Sequence, residues 1–171
     1  MSHQVTSSPQ NVGGVAGGLK FLAHGIFFKF ALDEHNIYGN IENAMKAARH
    51  ELNGIKAYRN LNLPGLHFPM FLLIDYKGYR IISTTLLPLG KNTLVYGSGD
   101  AAKTVFASDP EMNKLMEVAG NALFLKPHRV GTFRTVLYAP VDIEGHRGTD
   151  GRLYLLDTAR VNPPVCLITT T

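Results

Sequence analysis

The chain has no tryptophan and very little cysteine, and the second shortage excludes whole classes of site. Cys166 is the single cysteine among 171 residues, so no intrachain disulfide can form and a cysteine-rich zinc site is ruled out. No apolar run approaches the roughly 20 residues that a membrane-spanning helix needs, so we expect no membrane insertion. The polar start MSHQVTSSPQ lacks the apolar core of a secretory signal, which favours a cytoplasmic protein.

Charge is also limited, and neither sign dominates. The chain has 17 Lys and Arg against 13 Asp and Glu, and no stretch holds more than two adjacent basic residues. Dispersed charge of this kind is more typical of a solvated surface than of nucleic-acid binding. The seven histidines lack the i, i+3 or i, i+4 spacing that places two metal ligands on one helix face, so we expect no metal.

Composition along the chain predicts one domain between two short flanking segments. Residues 1–18 are rich in glycine and serine and predict a flexible lead-in. Residues 19–164 carry the apolar patterns of a folded domain, and residues 165–171 form a short tail. Within the domain, the apolar run over residues 22–32 predicts one buried strand, which Lys29 interrupts.

Two helices and several strands are predicted from local signals. Asn40 is suited to cap a helix over residues 40–61, and Asp109 followed by Pro110 is suited to start a second one. Strands are predicted over residues 70–76, 79–87, 93–96, 133–143 and 152–156. Strands and helices do not alternate in a βαβ rhythm, so we predict an α+β fold of mostly antiparallel sheets with two main helices.

The order of the first elements resembles the N-terminal lobe of a protein kinase, followed by a reduced second lobe. A glycine-rich stretch precedes a strand with Lys29, a helix with Glu51 and a β-hairpin. In kinases a strand lysine contacts nucleotide phosphates, and a helix glutamate holds it. Asp157 closes a later strand, where kinases place a metal-binding aspartate. Lys29, Glu51 and Asp157 are therefore candidate nucleotide-binding residues for Mg-ATP. The alternatives are a structural Lys29–Glu51 pair or a Lys29 side chain that extends to bring its charge into water.

No catalytic residues are assigned, and the balance is against an enzyme. Val130 follows His128-Arg129 where a kinase would have its catalytic base, and Thr158 follows Asp157 where a kinase has phenylalanine. Only 14 residues follow Asp157, too few for a helical kinase lobe. The Gly-Ser-Gly of residues 97–99 is not a nucleophile elbow, because the glycines flank the serine directly.

Three ordered segments resemble the Clu domain of the clustered mitochondria family. Residues 145–164, GHRGTDGRLYLLDTARVNPP, are similar to its most specific motif, and residues 94–105 and 75–88 resemble two upstream blocks. The family-signature positions are Tyr96, Gly97, Ser98, Asp100, Gly148, Asp150, Gly151, Arg152, Asp157, Arg160, Pro163 and Pro164.

The resemblance implies a non-enzymatic cytosolic domain that binds a protein or RNA partner. Large members of the family affect mitochondrial distribution and associate with mRNAs for mitochondrial proteins and with the translation machinery. The alternative hypothesis is a kinase-like nucleotide-binding domain, either a pseudokinase or a phosphotransferase. The resemblance covers roughly residues 19–164 of the chain.

Overall fold

Two larger β-sheets, each with one helix packed against it, and a small two-stranded sheet make up the structure, a computed structural model that describes residues 18–161. The predicted α+β class with two main helices is confirmed. The strands are β1 Lys20–Ala23, β2 Ile26–Phe30, β3 Leu66–His67, β4 Phe71–Tyr76, β5 Tyr79–Thr85, β6 Leu94–Gly97, β7 Phe106–Ala107, β8 His128–Val130, β9 Thr135–Leu137, β10 Glu144–Arg147 and β11 Leu153–Leu156, and the helices are α1 Ile41–Asn60 and α2 Pro110–Ala122.

The first sheet is antiparallel throughout and has the strand order β1-β2-β5-β4. The single strand predicted over residues 22–32 is wrong, because β1 and β2 form a hairpin there. His24 and Gly25 make its turn with φ angles of 50° and 76°. Both central residues of the tightest hairpin turns need positive φ, and the apolar residues on either side hid this signal.

Helix α1 covers one face of the first sheet, which we call the inner face. The Asn40 side chain accepts a hydrogen bond from the Asn43 N–H at 2.8 Å and caps the helix as predicted. Small residues on α1 allow a close approach to the sheet, and the resulting first core has only three buried members: Ala31, Ala48 and Ile82.

The second sheet has the order β3-β11-β10-β6-β7, in which only the β3–β11 pair is parallel. Asp109 caps α2 by accepting hydrogen bonds from the backbone N–H groups of Glu111 and Met112, each at 3.0 Å. The second core lies between this sheet and the helices. Its twelve buried residues are Tyr58, Leu66, Tyr96, Met112, Met116, Ala119, Leu137, Ala139, Ile143, Leu153, Leu155 and Val161.

Helix α1 belongs to both cores. Its first turns pack on the inner face through Ala48, and Tyr58 near its end is fully buried in the second core. Between them, Gly54 allows the chain after β11 to pass close by. A Cβ atom at Gly54 would lie 2.0 Å from the carbonyl oxygen of Thr158, so no larger residue fits without a shift.

Two further predictions differ from the structure or lie outside it. The long strand predicted over residues 133–143 is wrong, since only β9 is extended there, paired with β8, and the chain turns where the Ile143 N–H bonds the Pro140 carbonyl. Residues 1–17 of the predicted lead-in, the tail over 165–171, and Pro163 and Pro164 lie outside the described residues. Neither helix within residues 18–161 has the length and apolar content to cross a membrane.

Candidate functional site

The family-signature residues of the last hairpin form a closed turn between β10 and β11. Gly151 has a φ of 81°, and the Gly148 N–H bonds the Arg152 carbonyl at 2.8 Å. The Asp150 carboxylate accepts hydrogen bonds from the Arg152 N–H at 3.2 Å and from the Tyr154 hydroxyl at 2.7 Å. These bonds lower the pKa of Asp150, the Tyr154 bond most, and its carboxylate is thereby fully used inside the turn.

The second signature block, Tyr96 to Asp100, is also held by internal bonds. Gly97 has a φ of 84°, and a Cβ there would lie 1.7 Å from the Ile143 carbonyl oxygen. The buried Ser98 hydroxyl donates to Asp100 at 2.9 Å, and Asp100 also accepts the Thr104 N–H at 2.8 Å. Tyr96 is buried, which raises its pKa to about 12. Both blocks therefore shape the fold and leave few polar groups for a ligand.

Two of the three candidate nucleotide-binding residues line one recess between α1 and the inner face. Lys29 and Glu51 line it, with Tyr38 and several alanines completing its wall. Asp157 is near enough that the charges of Lys29 and Glu51 both affect its pKa. The charges of Lys29 and Asp157 thus influence each other in the folded chain, although 128 positions separate the two residues in the sequence.

Glu51 is committed to Thr158 rather than to Lys29. Its carboxylate accepts the Thr158 N–H at 2.9 Å and lies 3.2 Å from the Thr158 hydroxyl. Burial raises the pKa of Glu51, while the Thr158 bonds and the charge of Lys29 act against that rise. Among the ion pairs of residues 18–161, none joins Lys29 to Glu51, so the structural pair considered as an alternative does not form.

Asp157 has an unusual backbone and an unusual carboxyl group. Its φ of 51° turns the chain out of β11 and brings the Thr158 N–H to Glu51, in a conformation that aspartate tolerates better than most residues. Loss of water to the surrounding protein raises the pKa of Asp157 to about 7, and the nearby Glu51 and Glu144 act in the same direction. The charge of Lys29 acts against this rise and is outweighed.

The recess is small for a nucleotide. Its volume is about 60 Å³, which holds a few water molecules, whereas small-molecule sites usually have roughly 300–1,000 Å³. Within residues 18–161, no three His, Cys, Asp or Glu side chains converge as a metal site would require. Nucleotide binding at Lys29, Glu51 and Asp157 therefore stays a prediction that requires the recess to widen. Arg160 forms an ion pair with Asp142.

The surface that sequence reasoning missed is the side of the first sheet turned away from α1, which we call the outer face. Strand register places one alternate set of residues there, and none of them is charged. The large members of the outer face are Phe21, Ile26, Phe28, Phe30, Leu72, Ile74, Tyr76, Tyr79 and Ile81.

Strand β4 forms the most exposed part of the outer face. Leu72, Ile74 and Tyr76 have exposed fractions of 58%, 38% and 61%. Further in, Phe30 makes edge-on ring contacts with Phe21 and Tyr79, at centroid distances of 5.9 and 6.0 Å. The aromatic rings thus support one another, and the aliphatic and tyrosine side chains of β4 remain open to solvent.

Strand β4 is also an edge strand, with one side unpaired among the described residues. The Thr85 N–H bonds the Met70 carbonyl at 3.1 Å, so Met70 and the alternate residues after it direct their backbone groups toward β5. The intervening residues, Phe71, Leu73 and Asp75, therefore direct their N–H and C=O groups outward. We call this row of backbone groups the free edge.

A basic stripe of α1 lies on the side of the helix nearest β4. Met45 packs against the first core, as Phe71 and Leu73 of β4 also do, and its carbonyl accepts a hydrogen bond from Arg80 at 3.1 Å. The residues that follow Met45 at helical spacing share its side of the helix. We call the exposed cations of this stripe, Arg49, Lys56 and Arg59, the basic flank. None of them makes an ion pair within the described residues.

Sequence signals for these features were present. Lys and Arg at positions 49, 56 and 59 look dispersed in the linear sequence, yet spacings of seven and three gather them on one side of a helix. In β4, apolar residues stand at nearly every position, so both faces of the strand are apolar. A strand of that kind is covered on both sides or has one apolar face left open.

Comparison with known proteins gives a consistent result. The family model described as clustered mitochondria matches residues 2–166. The chain is 34% identical over 155 residues to Protein clueless from Drosophila mojavensis, covering 84% of this chain and 10% of that protein. It is 34% identical over 167 residues to a clustered mitochondria protein homolog from Anopheles gambiae, covering 91% of this chain and 11% of that protein.

The chain therefore spans about a tenth of the length of the curated relatives that it matches. No solved structure matches it.

Proposed function

The chain belongs to the clustered mitochondria family, and on that premise we propose that it is a non-enzymatic domain that binds a protein partner through its outer face. One relative is named a clustered mitochondria protein homolog. We propose that the binding takes place in the cytosol and serves the distribution of mitochondria.

The open outer face is the observation that supports this proposal. Monomeric proteins seldom expose large connected apolar patches, and those they do expose are often interaction sites. The cores of protein interfaces are enriched in aromatic residues and poor in charge. The outer face has both properties, since Phe28, Phe30, Tyr76 and Tyr79 lie on it and no charged residue does.

A protein fits the outer face better than RNA does. Most of the affinity for RNA comes from cations that neutralise phosphates, and a stacking platform needs such cations beside its rings. The outer face offers Lys77 at its rim, which lies 5.4 Å from the ring of Tyr76. The basic flank is on α1, against the opposite side of the sheet, so rings and cations do not form one RNA platform.

Site-specific photo-cross-linking tests the proposal. A photo-reactive amino acid is placed at position 74 on the outer face or, as the control, at Val118, an exposed position of α2. The protein captured at position 74 is then purified and titrated with the unmodified chain. We expect Ile74→Gln to weaken this binding about tenfold or more, as loss of an interface anchor does, and Val118→Gln to leave it unchanged.

Two outcomes would overturn the proposal. Equal capture at positions 74 and 118 would show that the outer face has no preferred partner. Tight RNA binding in a filter assay, falling steeply with salt and lost in Arg49→Glu, would favour RNA if position 74 captured no protein.

Nucleotide binding at the recess is a second candidate function, supported by the charge coupling of Lys29 with Glu51 and Asp157. A thermal shift with Mg-ATP tests it. Saturation at about 100 times Kd should add about 2.7 kcal/mol to the free energy of unfolding, and Lys29→Ala should remove most of the gain. An unchanged melting temperature in the wild type would contradict it.

A further inference from the structure

We infer that the free edge of β4 accepts an added β-strand from the protein partner, with apolar side chains toward the outer face and acidic side chains toward the basic flank. The inference rests on the proposed function, since it names the form in which a protein partner binds. Three features of the described residues support it: unpaired backbone groups, an open apolar side and a basic opposite side.

The backbone groups come first. Phe71, Leu73 and Asp75 present three N–H and three C=O groups to the outside of the sheet, with no partner strand among the described residues. Natural edge strands are usually blocked by a proline, a bulge, an inward-pointing charge or a covering segment. Strand β4 contains no proline, and its pairing with β5 runs through all six residues without a register shift. An incoming strand would find an unobstructed ladder.

The other edge of the same sheet shows what protection looks like. Strand β1 has four residues, and its Lys20 is buried, so an incoming strand would lie against a short edge beside an inward-pointing charge. Strand β4 is longer, its exposed side chains on the outer face are apolar, and its one charged residue, Asp75, is paired with Arg80. The two edges of the first sheet thus differ in how well they are protected against an added strand.

The apolar requirement on the partner follows from the exposed side of β4. A strand beside β4 has alternate residues next to Leu72, Ile74 and Tyr76. Large aliphatic or aromatic residues at those positions would extend the outer face and cover these three exposed residues of β4. Charged residues there would lose water without gaining a partner.

The acidic requirement follows from the other side of the added strand. Its remaining side chains point toward α1, where Arg49 stands one turn beyond Met45 and Lys56 two further turns along. The acid of β4 on that side, Asp75, is bonded to Arg80 at 2.7 Å. The basic flank thus keeps its charge available, and acidic residues complement it.

Synthetic peptides test the inference directly. The first probe is a capped seven-residue peptide in which isoleucine alternates with glutamate, and the second has lysine in place of glutamate. A third is the glutamate peptide with N-methyl groups on the residues that would bond the free edge. Fluorescence anisotropy measures their affinity for the full chain, at concentrations where light scattering shows the peptides to be monomeric.

We expect the glutamate peptide to bind and both other peptides to bind at least about tenfold more weakly, a difference of about 1.4 kcal/mol. Arg49→Glu should reduce the preference for glutamate over lysine. Lys114→Glu is the matched control, because Lys114 is an exposed cation of the other helix, α2, and it should preserve the preference.

Each other outcome overturns the inference. Equal affinity for the N-methylated peptide would mean that the free edge is not used, while the outer face could still bind a protein by its side chains. Failure of every peptide to bind at millimolar concentration would also exclude strand addition. The proposed function would then stand or fall on cross-linking at position 74, so the two failures are distinguishable.

Discussion

The two larger sheets of this chain differ in how fully their apolar side chains are buried. The second sheet packs into a core in which Leu137, Ile143 and Leu155 have no exposed surface. The first sheet has a core of three buried residues on its inner face, and on its apolar outer face Leu72, Tyr76 and Tyr79 are about half exposed or more. The contrast teaches that the second sheet provides stability, and the first offers surface. We therefore expect a partner to bind the outer face of the first sheet, where apolar side chains remain exposed.

The largest expected effect separates the two cores. Leu155→Ala should lower the free energy of unfolding by about 2–5 kcal/mol, because it leaves a cavity in a fully buried site. Ile82→Ala in the first core should fall at the low end of that range, since Ile82 borders the recess and its site is less enclosed. Urea denaturation of both variants measures the difference. Equal losses would show that the first core contributes as much as the second.

The next effect concerns the contact between α1 and the chain after β11. Gly54→Ala should cost about 1–3 kcal/mol, because the new methyl group collides with the Thr158 carbonyl and α1 must move. The neighbouring Asn53→Ala is the control, since Asn53 is exposed and the change should be neutral or slightly stabilising. The melting temperatures of the two variants measure the difference. If both melted at the wild-type temperature, the close approach of Gly54 to the Thr158 carbonyl would be contradicted.

A smaller effect should appear as a dependence on pH. Asp157 has a raised pKa of about 7 in the folded chain against 3.8 for the ordinary group, so the folded chain binds more protons between these values. Stability should therefore fall as the pH rises through this window. Asp157→Asn should flatten the dependence, and denaturation from pH 4 to 8 measures it. A slope that survives in the variant would assign it to another group, with Glu51 the first candidate.

The smallest expected effect is on the outer face. Leu72→Gln should change the free energy of unfolding by no more than about 0.5 kcal/mol, because Leu72 is 58% exposed. Its consequence should appear instead in partner binding. Chemical denaturation settles the point: a loss above about 1 kcal/mol would mean that the native chain already covers this face.

Local signals in the sequence predicted the local structure well. Asn40 and Asp109 mark both helix starts, Lys77-Gly78 marks the β4–β5 turn, and Asp150-Gly151 the last hairpin. Each signal depends on a few neighbouring residues whose backbone preferences are strong. The turn at His24-Gly25 was missed because the apolar residues around it favoured one continuous strand.

Long-range relations were harder to predict. The sequence places Glu51 on a helix and Thr158 after a strand. No local sequence signal predicts the hydrogen bond between the two residues. The openness of the outer face likewise depends on which strands pair and which side α1 covers. The nucleotide-binding role of Lys29, Glu51 and Asp157 remains a prediction, because charged groups that influence one another do not by themselves identify a ligand.

The shared helix α1 has a consequence for how the chain unfolds. One end of α1 is buried in the second core through Tyr58, and the other covers the weak first core through Ala48. The bonds of Glu51 to Thr158 join the middle of the helix to the chain after β11. Loss of α1 from the first sheet should therefore disturb the second core as well, and we expect both to unfold in one cooperative transition. The sheet that carries the apolar outer face thus shares its helix with a core that lies elsewhere in the chain.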